Sequence, residues 1–234
     1  MRPYAIIECA QRTQEWYDAR RGRVTGSVAK HVARERKKGP GELEGRHDLR
    51  LSLVAEILTG RSLDDDTFVT RELERGTKLE PSAGLAYEVE TSEYVRWCGF
   101  FQHHELMVGC SVDGYVGADV RGIVEIKCPK STTHLEYVLG RTLPADHVEQ
   151  VTHNLWVSGA DWCDFVSYDD RFLNPKLHLF VHRVTRDQVD IKGYEAKALA
   201  FLAEVERDVQ VALSVADPAA QLEASLPLIE AAGV

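Results

Sequence analysis

The sequence predicts a single α/β domain in which helices flank both faces of a small central mixed sheet. Three observations carry that expectation. Strand-like segments recur at Glu105–Cys110, Ser111–Val116, Ile123–Cys128, Asp164–Tyr168 and Leu177–Val184. Amphipathic stretches with helix starts and stops precede, separate and follow them. Neither an internal repeat nor a linker interrupts the 234 residues, a length that one substantial core accommodates. The domain is expected over residues 1–216. Residues 217–234, rich in Ala, Leu and Glu, read as a partly disordered tail.

In chain order, Thr13 is placed to cap a short helix that carries Trp16 and Arg20 and stops near Gly22, with Glu15 adding negative charge to the first turn. A second helix is expected to begin around Thr25-Gly26-Ser27. Arg34 to Gly45 is charged and contains Gly39-Pro40-Gly41, which reads as a loop. Leu49, Leu51, Leu53, Val54, Ile57 and Leu58 give a helix closed by Gly60. After the acidic turn Asp64-Asp65-Asp66, a helical stretch is expected from about Thr67 towards Val89, with Pro81 kinking or restarting it. Further helices are expected over Thr132–Leu139, Ala145–Ser158 and Arg186 to about Val215.

The net charge of −9 argues against the broadly basic surface of a non-specific DNA binder. It leaves open a cleft whose local field opposes the overall sign, or one where bound cations supply the positive charge. Apolar runs stay well short of a membrane span, so no membrane partner is expected. The start Met1–Glu8 lacks a signal-peptide core, which implies the cytoplasm, or the host-cell cytoplasm for a chain of phage or prophage origin. Five scattered cysteines without a C-x-x-C pair imply reduced thiols.

The chemistry concentrates in Gly109-Cys110-Ser111-Val112-Asp113-Gly114 and Gly122-Ile123-Val124-Glu125-Ile126-Lys127-Cys128-Pro129. In a strand, residues two apart share a face, so Glu125 and Lys127 project together from an otherwise apolar segment. A turn that brought Asp113 beside them would give two carboxylates suited to a hard, oxygen-seeking cation. The ammonium could then orient a water or stabilise charge on a phosphate. Each residue alone has a plainer reading: Asp113 as a turn residue, Glu125 and Lys127 as an exposed strand pair, Glu80 as a solvated helix glutamate and Arg20 as a surface helix arginine. The pair His103-His104 is not H-E-x-x-H and reads as surface or edge residues. The serine at 111 lacks G-x-S-x-G spacing. Without a P-loop signature, no ATP is implied. Trp156 and Trp162 read as core or interface residues.

Taken together, Glu80, Asp113 and Glu125-Ile126-Lys127 resemble the pattern of the PD-(D/E)XK nucleases, which share a restriction-endonuclease-like core. More narrowly, the chain resembles the lambda-exonuclease family, the YqaJ-like viral recombinases, from about Gln14 to Tyr168. The carriers are Trp16-Tyr17-Asp18-Ala19-Arg20-Arg21-Gly22, Thr25-Gly26-Ser27, Arg75-Gly76 with Glu80, the two segments above, and Gln150-Val151 with Leu155-Trp156-Val157. Where the family has a proline before the aspartate, this chain has Val112, which leaves the ligands intact.

The resemblance implies Asp113, Glu125 and the backbone carbonyl of Ile126 as Mg²⁺ ligands, with Glu80 serving a second ion directly or through water and Mn²⁺ able to substitute. It implies Lys127 as the residue that positions or helps activate the attacking water, and Gln150 as a contact to that water or to the scissile phosphate. Arg20, Ser27 and Ser111 match residues that grip a 5′-terminal phosphate, and Trp16 reads either as a contact to the DNA end or as a core residue. The implied activity is 5′-to-3′ digestion of linear duplex DNA to mononucleotides, leaving a 3′ single-stranded overhang for recombination. A ring-shaped homotrimer and a single-strand annealing partner are implied as well. An iron–sulfur cluster is not, because no late group of cysteines follows Cys163. The alternatives are a structure- or sequence-specific endonuclease on the same core and an inactive DNA-end binding module.

Overall fold

The structure is a computed structural model and describes residues 3–35, 41–63 and 71–216. The acidic turn 64–66, the first residues of the helix expected from Thr67, most of the Gly-Pro-Gly loop and the tail lie outside the described residues. Eight strands and seven α-helices are described, in the order β1 (Tyr4–Ile7), α1 (Gln14–Arg20), α2 (Ala29–Ala33), α3 (Glu44–Thr59), α4 (Arg71–Thr91), β2 (Val95–Trp97), β3 (Phe100–His103), β4 (Gly109–Cys110), β5 (Gly114–Val116), β6 (Gly122–Lys127), α5 (Ser131–Gly140), α6 (Val148–Ser158), β7 (Trp162–Tyr168), β8 (Leu179–Thr185) and α7 (Ile191–Ala216).

The main sheet has the order β2-β5-β6-β7-β8, and β1-β3-β4 form a smaller sheet. Of the main-sheet pairs, β6 with β7 alone is parallel, running from Gly122 opposite Trp162 to Lys127 opposite Ser167. The parallel pair requires a crossover, and α5 and α6 provide it. Cross-strand contact explains one glycine. Any side chain on Gly122 would run into the Trp162 indole, whose ring also carries the Arg183 guanidinium 3.6 Å from its centroid. Trp162 is therefore a core residue. Trp156 packs its ring against His153 and Tyr194.

Alternation along β6 divides the core. Ile123 packs with Val151 and Leu155 of α6 and with Phe101, Tyr194 and Phe201. Val124 and Ile126 pack on the opposite face with Ala83 and Tyr87 of α4 and with Val166. Phe101, Phe165 and Phe201 are fully buried, each contributing roughly 1.5–3 kcal/mol by leaving water. Helices cover both faces of a five-stranded mixed sheet, as predicted, and Glu125 and Lys127 project toward α6 rather than α4.

Several expectations shift in detail. Thr13 does cap α1, accepting from the Trp16 amide, and Gly60 does close α3 at φ 65°. Around Gly26 the chain makes a 3-10 turn, Gly26–Val28, before α2. Pro81 lies inside an uninterrupted α4. The segment expected as a strand over Glu105–Cys110 contributes only Gly109–Cys110. Ahead of it, His103 Nδ1 accepts from the Glu105 and Leu106 amides and turns the chain. Strands β1, β2 and β3 were not expected.

Candidate active site

The β5–β6 hairpin brings the two carboxylates together. The Asp113 amide donates to the Val124 carbonyl at 3.1 Å, and Asp113 Oδ2 accepts the Ile126 amide at 2.5 Å. Glu125 is only 2% exposed. Its Oε1 accepts from Lys127 Nζ at 2.5 Å and from Gln150 Nε2 at 2.6 Å, and its Oε2 accepts from Asn154 Nδ2 at 2.9 Å. Gln150 and Asn154 are one turn apart on α6, so the helix presents two amides to one carboxylate. The expected Asp113, Glu125, Lys127 and Gln150 thus form one cluster, and Asn154 joins it as a residue the sequence reading missed. A pair of amide side chains four apart within the apolar face of Val151 and Leu155 was the signal that could have found it.

Charge in this cluster is unbalanced. Burial and the adjacent Glu125 carboxylate push the Asp113 carboxyl up to about 8, against the smaller opposing effects of Lys127 and the Ile126 amide. Burial pulls Lys127 down, but Glu125, Asp113 and Glu80 more than offset it, and the ammonium stays firmly protonated. A carboxylate accepts about four hydrogen bonds and Glu125 takes three, so acceptor capacity remains. A buried carboxyl, Glu125, and a half-buried one, Asp113, both hard oxygen donors flanking Ile126, fit a Mg²⁺-type ion.

Glu80 approaches from α4, on the far face of β6. It sits within the electrostatic reach of Asp113, Lys127 and Cys128. Among the described residues, no three His, Cys, Asp or Glu side chains converge as a metal cage, so Glu80 does not complete one with Asp113 and Glu125. Its helix is pinned on either side of it. Arg75 donates to the carbonyls of Cys128 and Pro129 at 3.3 and 3.1 Å and to Asp169 at 2.9 Å. Tyr87 donates to the buried Asp164 at 2.6 Å.

A second cluster lies beside the first. Arg20 and Ser27 line a cavity of about 260 Å³ together with Arg23, Thr25 and Glu56. Ser111 Oγ accepts from Trp16 Nε1 at 2.8 Å and from Arg20 Nη1 at 3.4 Å, which leaves its hydroxyl proton free to donate. The Arg20 guanidinium lies 4.1 Å over the Trp16 ring. Trp16 thus holds both Arg20 and Ser111 in place. Glu56 is committed elsewhere, accepting from the Gly22 and Leu63 amides. Arg23, which the sequence did not single out, adds a cation, and Thr25, which it placed only in the Thr25-Gly26-Ser27 block, adds a hydroxyl. Arg20, Ser27 and Ser111 share a neighbourhood and Asn154 connects it to the first cluster: any side chain on Gly26 would collide with the Asn154 carboxamide.

A mixed sheet with an Asp and a Glu-x-Lys at the ends of adjacent strands defines the PD-(D/E)XK exonuclease class, and comparison with known proteins agrees. The YqaJ-like viral recombinase domain matches residues 15–161, and the chain belongs to that family. It is similar to the alkaline exonuclease LHK-Exo from Laribacter hongkongensis, at 34% identity and a TM-score of 0.75, covering 87% of this chain and 98% of that one. The structure of LHK-Exo in complex with dAMP matches at 35% identity over the same shares and with the same TM-score. A phage-related exonuclease from Haemophilus somnus 129PT shares the fold at 12% identity and a TM-score of 0.59, over 81% of this chain and 96% of that one. No curated protein sequence matches the chain. The protein is a DNA-hydrolysing enzyme. Among the described residues, no helix is long and apolar enough to cross a membrane.

Proposed function

We propose that the protein is a Mg²⁺-dependent exonuclease that enters linear duplex DNA at a 5′ end, releases mononucleotides and leaves a 3′ single-stranded overhang for recombination. The observation that carries this reading is the adjacency of the two clusters, a carboxylate–ammonium centre and an arginine–serine pocket joined through Asn154 and Gly26. The capture of dAMP by LHK-Exo supports a mononucleotide product.

Asp113, Glu125 and the Ile126 carbonyl would hold one divalent cation, and Glu80 would serve a second. Bound there, the cations supply Lewis-acid stabilisation of the attacking and leaving oxygens. The chain's own residues do the rest. Lys127 orients a water for in-line attack on phosphorus, and Gln150 fixes Glu125 while reaching toward the same water. Attack on the first internal phosphodiester breaks the P–O3′ bond, frees a nucleotide and leaves a 5′-phosphate on the shortened strand. Arg20 offers a forked, permanently charged contact to that phosphate, and Ser27 and Ser111 add hydroxyl donors. A terminal phosphate carries more charge than a diester, so the pocket favours an end over a continuous strand.

The reading extends to a ring-shaped homotrimer enclosing DNA and to a single-strand annealing partner. Sedimentation should give three times the chain mass. Linear duplexes labelled at either terminus and bearing 5′-phosphate or 5′-hydroxyl ends test the activity. Loss of the 5′ label first, faster from phosphorylated ends, and no cutting of a covalently closed circle are expected. Equal rates from both ends, or early loss of the 3′ label, would overturn the polarity and the role given to Arg20.

A further inference from the structure

Asn154 is 1% exposed, and its two ends face different places. Nδ2 donates to Glu125 Oε2 at 2.9 Å. Oδ1 is buried with no hydrogen-bond partner. It points at the Thr25–Gly26–Ser27 turn, where it fills the space a Gly26 side chain would need. Gly26 does not have a positive φ, so the backbone does not demand glycine there. The nearness of the Asn154 carboxamide does. An acceptor buried without a donor is costly, so native proteins rarely keep one without a reason.

The carboxamide is planar and rigid. A shift of the Gly26 turn against Oδ1 therefore moves Nδ2 against Glu125. Ser27, in that turn, lines the cavity with Arg20. From this geometry we infer that Asn154 is a positioning residue that couples occupation of the Arg20–Ser27–Ser111 pocket by a terminal phosphate to cation binding at Asp113 and Glu125. The turn closes on the phosphate, the Gly26–Ser27 amides come within reach of the orphan Oδ1, and Nδ2 settles Glu125 in its ligating pose. Coupling of this kind is reciprocal, so a cation on Glu125 must tighten the grip on the phosphate by the same factor. The inference rests on the 5′-end reading proposed above.

The test is binding, without turnover. Fluorescent duplexes with 5′-phosphate or 5′-hydroxyl ends are titrated with protein in Ca²⁺ and in EDTA, and the ratio of the two Kd values is taken in each. In the wild type the preference for phosphate should rise about fivefold on adding Ca²⁺. In Asn154→Ser and in Gly26→Ala, the ratio should be the same in Ca²⁺ and EDTA. The double variant decides between coupling and simple packing. Serine at 154 makes room for a methyl at 26, so Gly26→Ala/Asn154→Ser should regain thermal stability relative to Gly26→Ala without regaining the Ca²⁺-dependent preference. Variants that keep the full cation-dependent rise, or a double variant that recovers it with stability, overturn the inference. A wild type that prefers phosphate equally with and without Ca²⁺ also overturns it while leaving end recognition standing. A wild type with no preference at all removes end recognition itself, and the coupling with it.

Discussion

Lys127 donates to a Glu125 oxygen at 2.5 Å, and in doing so it competes with any cation for that carboxylate. Its removal therefore separates two roles. In Lys127→Ala, Mg²⁺-dependent digestion should fall about a hundredfold or more, as when a positioned proton-handling group is lost. The rise in melting temperature on adding Mg²⁺ should be kept or enlarged, because the competing ammonium is gone. A variant that loses both would make Lys127 a structural partner of Glu125. Trp16 offers a second case. Phenylalanine at 16 keeps an aromatic face for Arg20 but loses the indole donor to Ser111. Trp16→Phe should narrow the preference for 5′-phosphorylated over 5′-hydroxyl ends several-fold, as measured by initial rates, consistent with one lost hydrogen bond of about 1 kcal/mol. Asp113, Glu125 and Lys127 were legible because their spacing lies within one hairpin. Asn154 and Arg23 were not, since what makes them notable is a neighbour far away in sequence.

Helix α4 shows how an element on the far face of the sheet can serve the site. Its Glu80 lies between two anchors, Arg75 on the carbonyls just beyond Lys127 and Tyr87 on Asp164 of β7. Asp164 also receives a forked pair from Arg183 at 2.8 and 2.7 Å and is 1% exposed. If the anchors set where Glu80 stands, loosening them should weaken the second cation site proposed for it before the protein unfolds. Tyr87→Phe and Arg75→Gln should each raise the Mg²⁺ concentration for half-maximal digestion several-fold, with a modest fall in melting temperature. A lower maximal rate at an unchanged Mg²⁺ requirement would show that α4 serves packing alone. Asp164→Ala should cost about 1–3 kcal/mol, because it leaves the buried Tyr87 hydroxyl without its acceptor while the half-exposed Arg183 turns to water, and urea unfolding reads this directly. The helices and β5 to β8 were legible from periodicity and caps. Strands β1, β2 and β3 were not, because runs of three or four residues carry too little period. They become strands through partners remote in sequence, as Tyr4 does opposite His103.

At the scale of the whole molecule, the net charge of −9 gave no hint of the cation-seeking centre or of the arginine-lined cavity, since a sum over the surface cannot report a local field. Nor did it predict how the fold responds to acid, which is set by a few buried groups. His153 is fully buried on α6. One ring nitrogen pairs with the Tyr194 hydroxyl at 2.8 Å and the other with the Gly109 carbonyl at 2.9 Å, so α6 ties α7 to β4. The carbonyl only accepts, which places the proton on Nε2 and leaves Nδ1 to accept from Tyr194. Burial lowers the His153 pKa to about 4, despite the opposing bond to Gly109. The unfolded chain titrates near 6.5, so between these values it binds more protons than the native state and stability rises with pH. The contribution is whole above about 6.5 and is lost as the pH falls through about 4, a change of about 3 kcal/mol. Asp169, held well below the usual carboxylate range by Arg171 and Ser131 against its own burial, adds a further loss that begins only below about 4. Asp113, raised to about 8, works the other way in metal-free buffer, since the native state binds its proton first. Between about 6.5 and 4 the two slopes offset each other, and urea unfolding reads His153 as the difference between wild type and variant. His153→Gln keeps a donor and an acceptor but cannot titrate, so it should be less stable at pH 7, and its deficit relative to the wild type should shrink as the pH falls from about 6.5 to 4. If the slope of the variant equals that of the wild type, the acid sensitivity belongs to other groups and His153 is bystander packing.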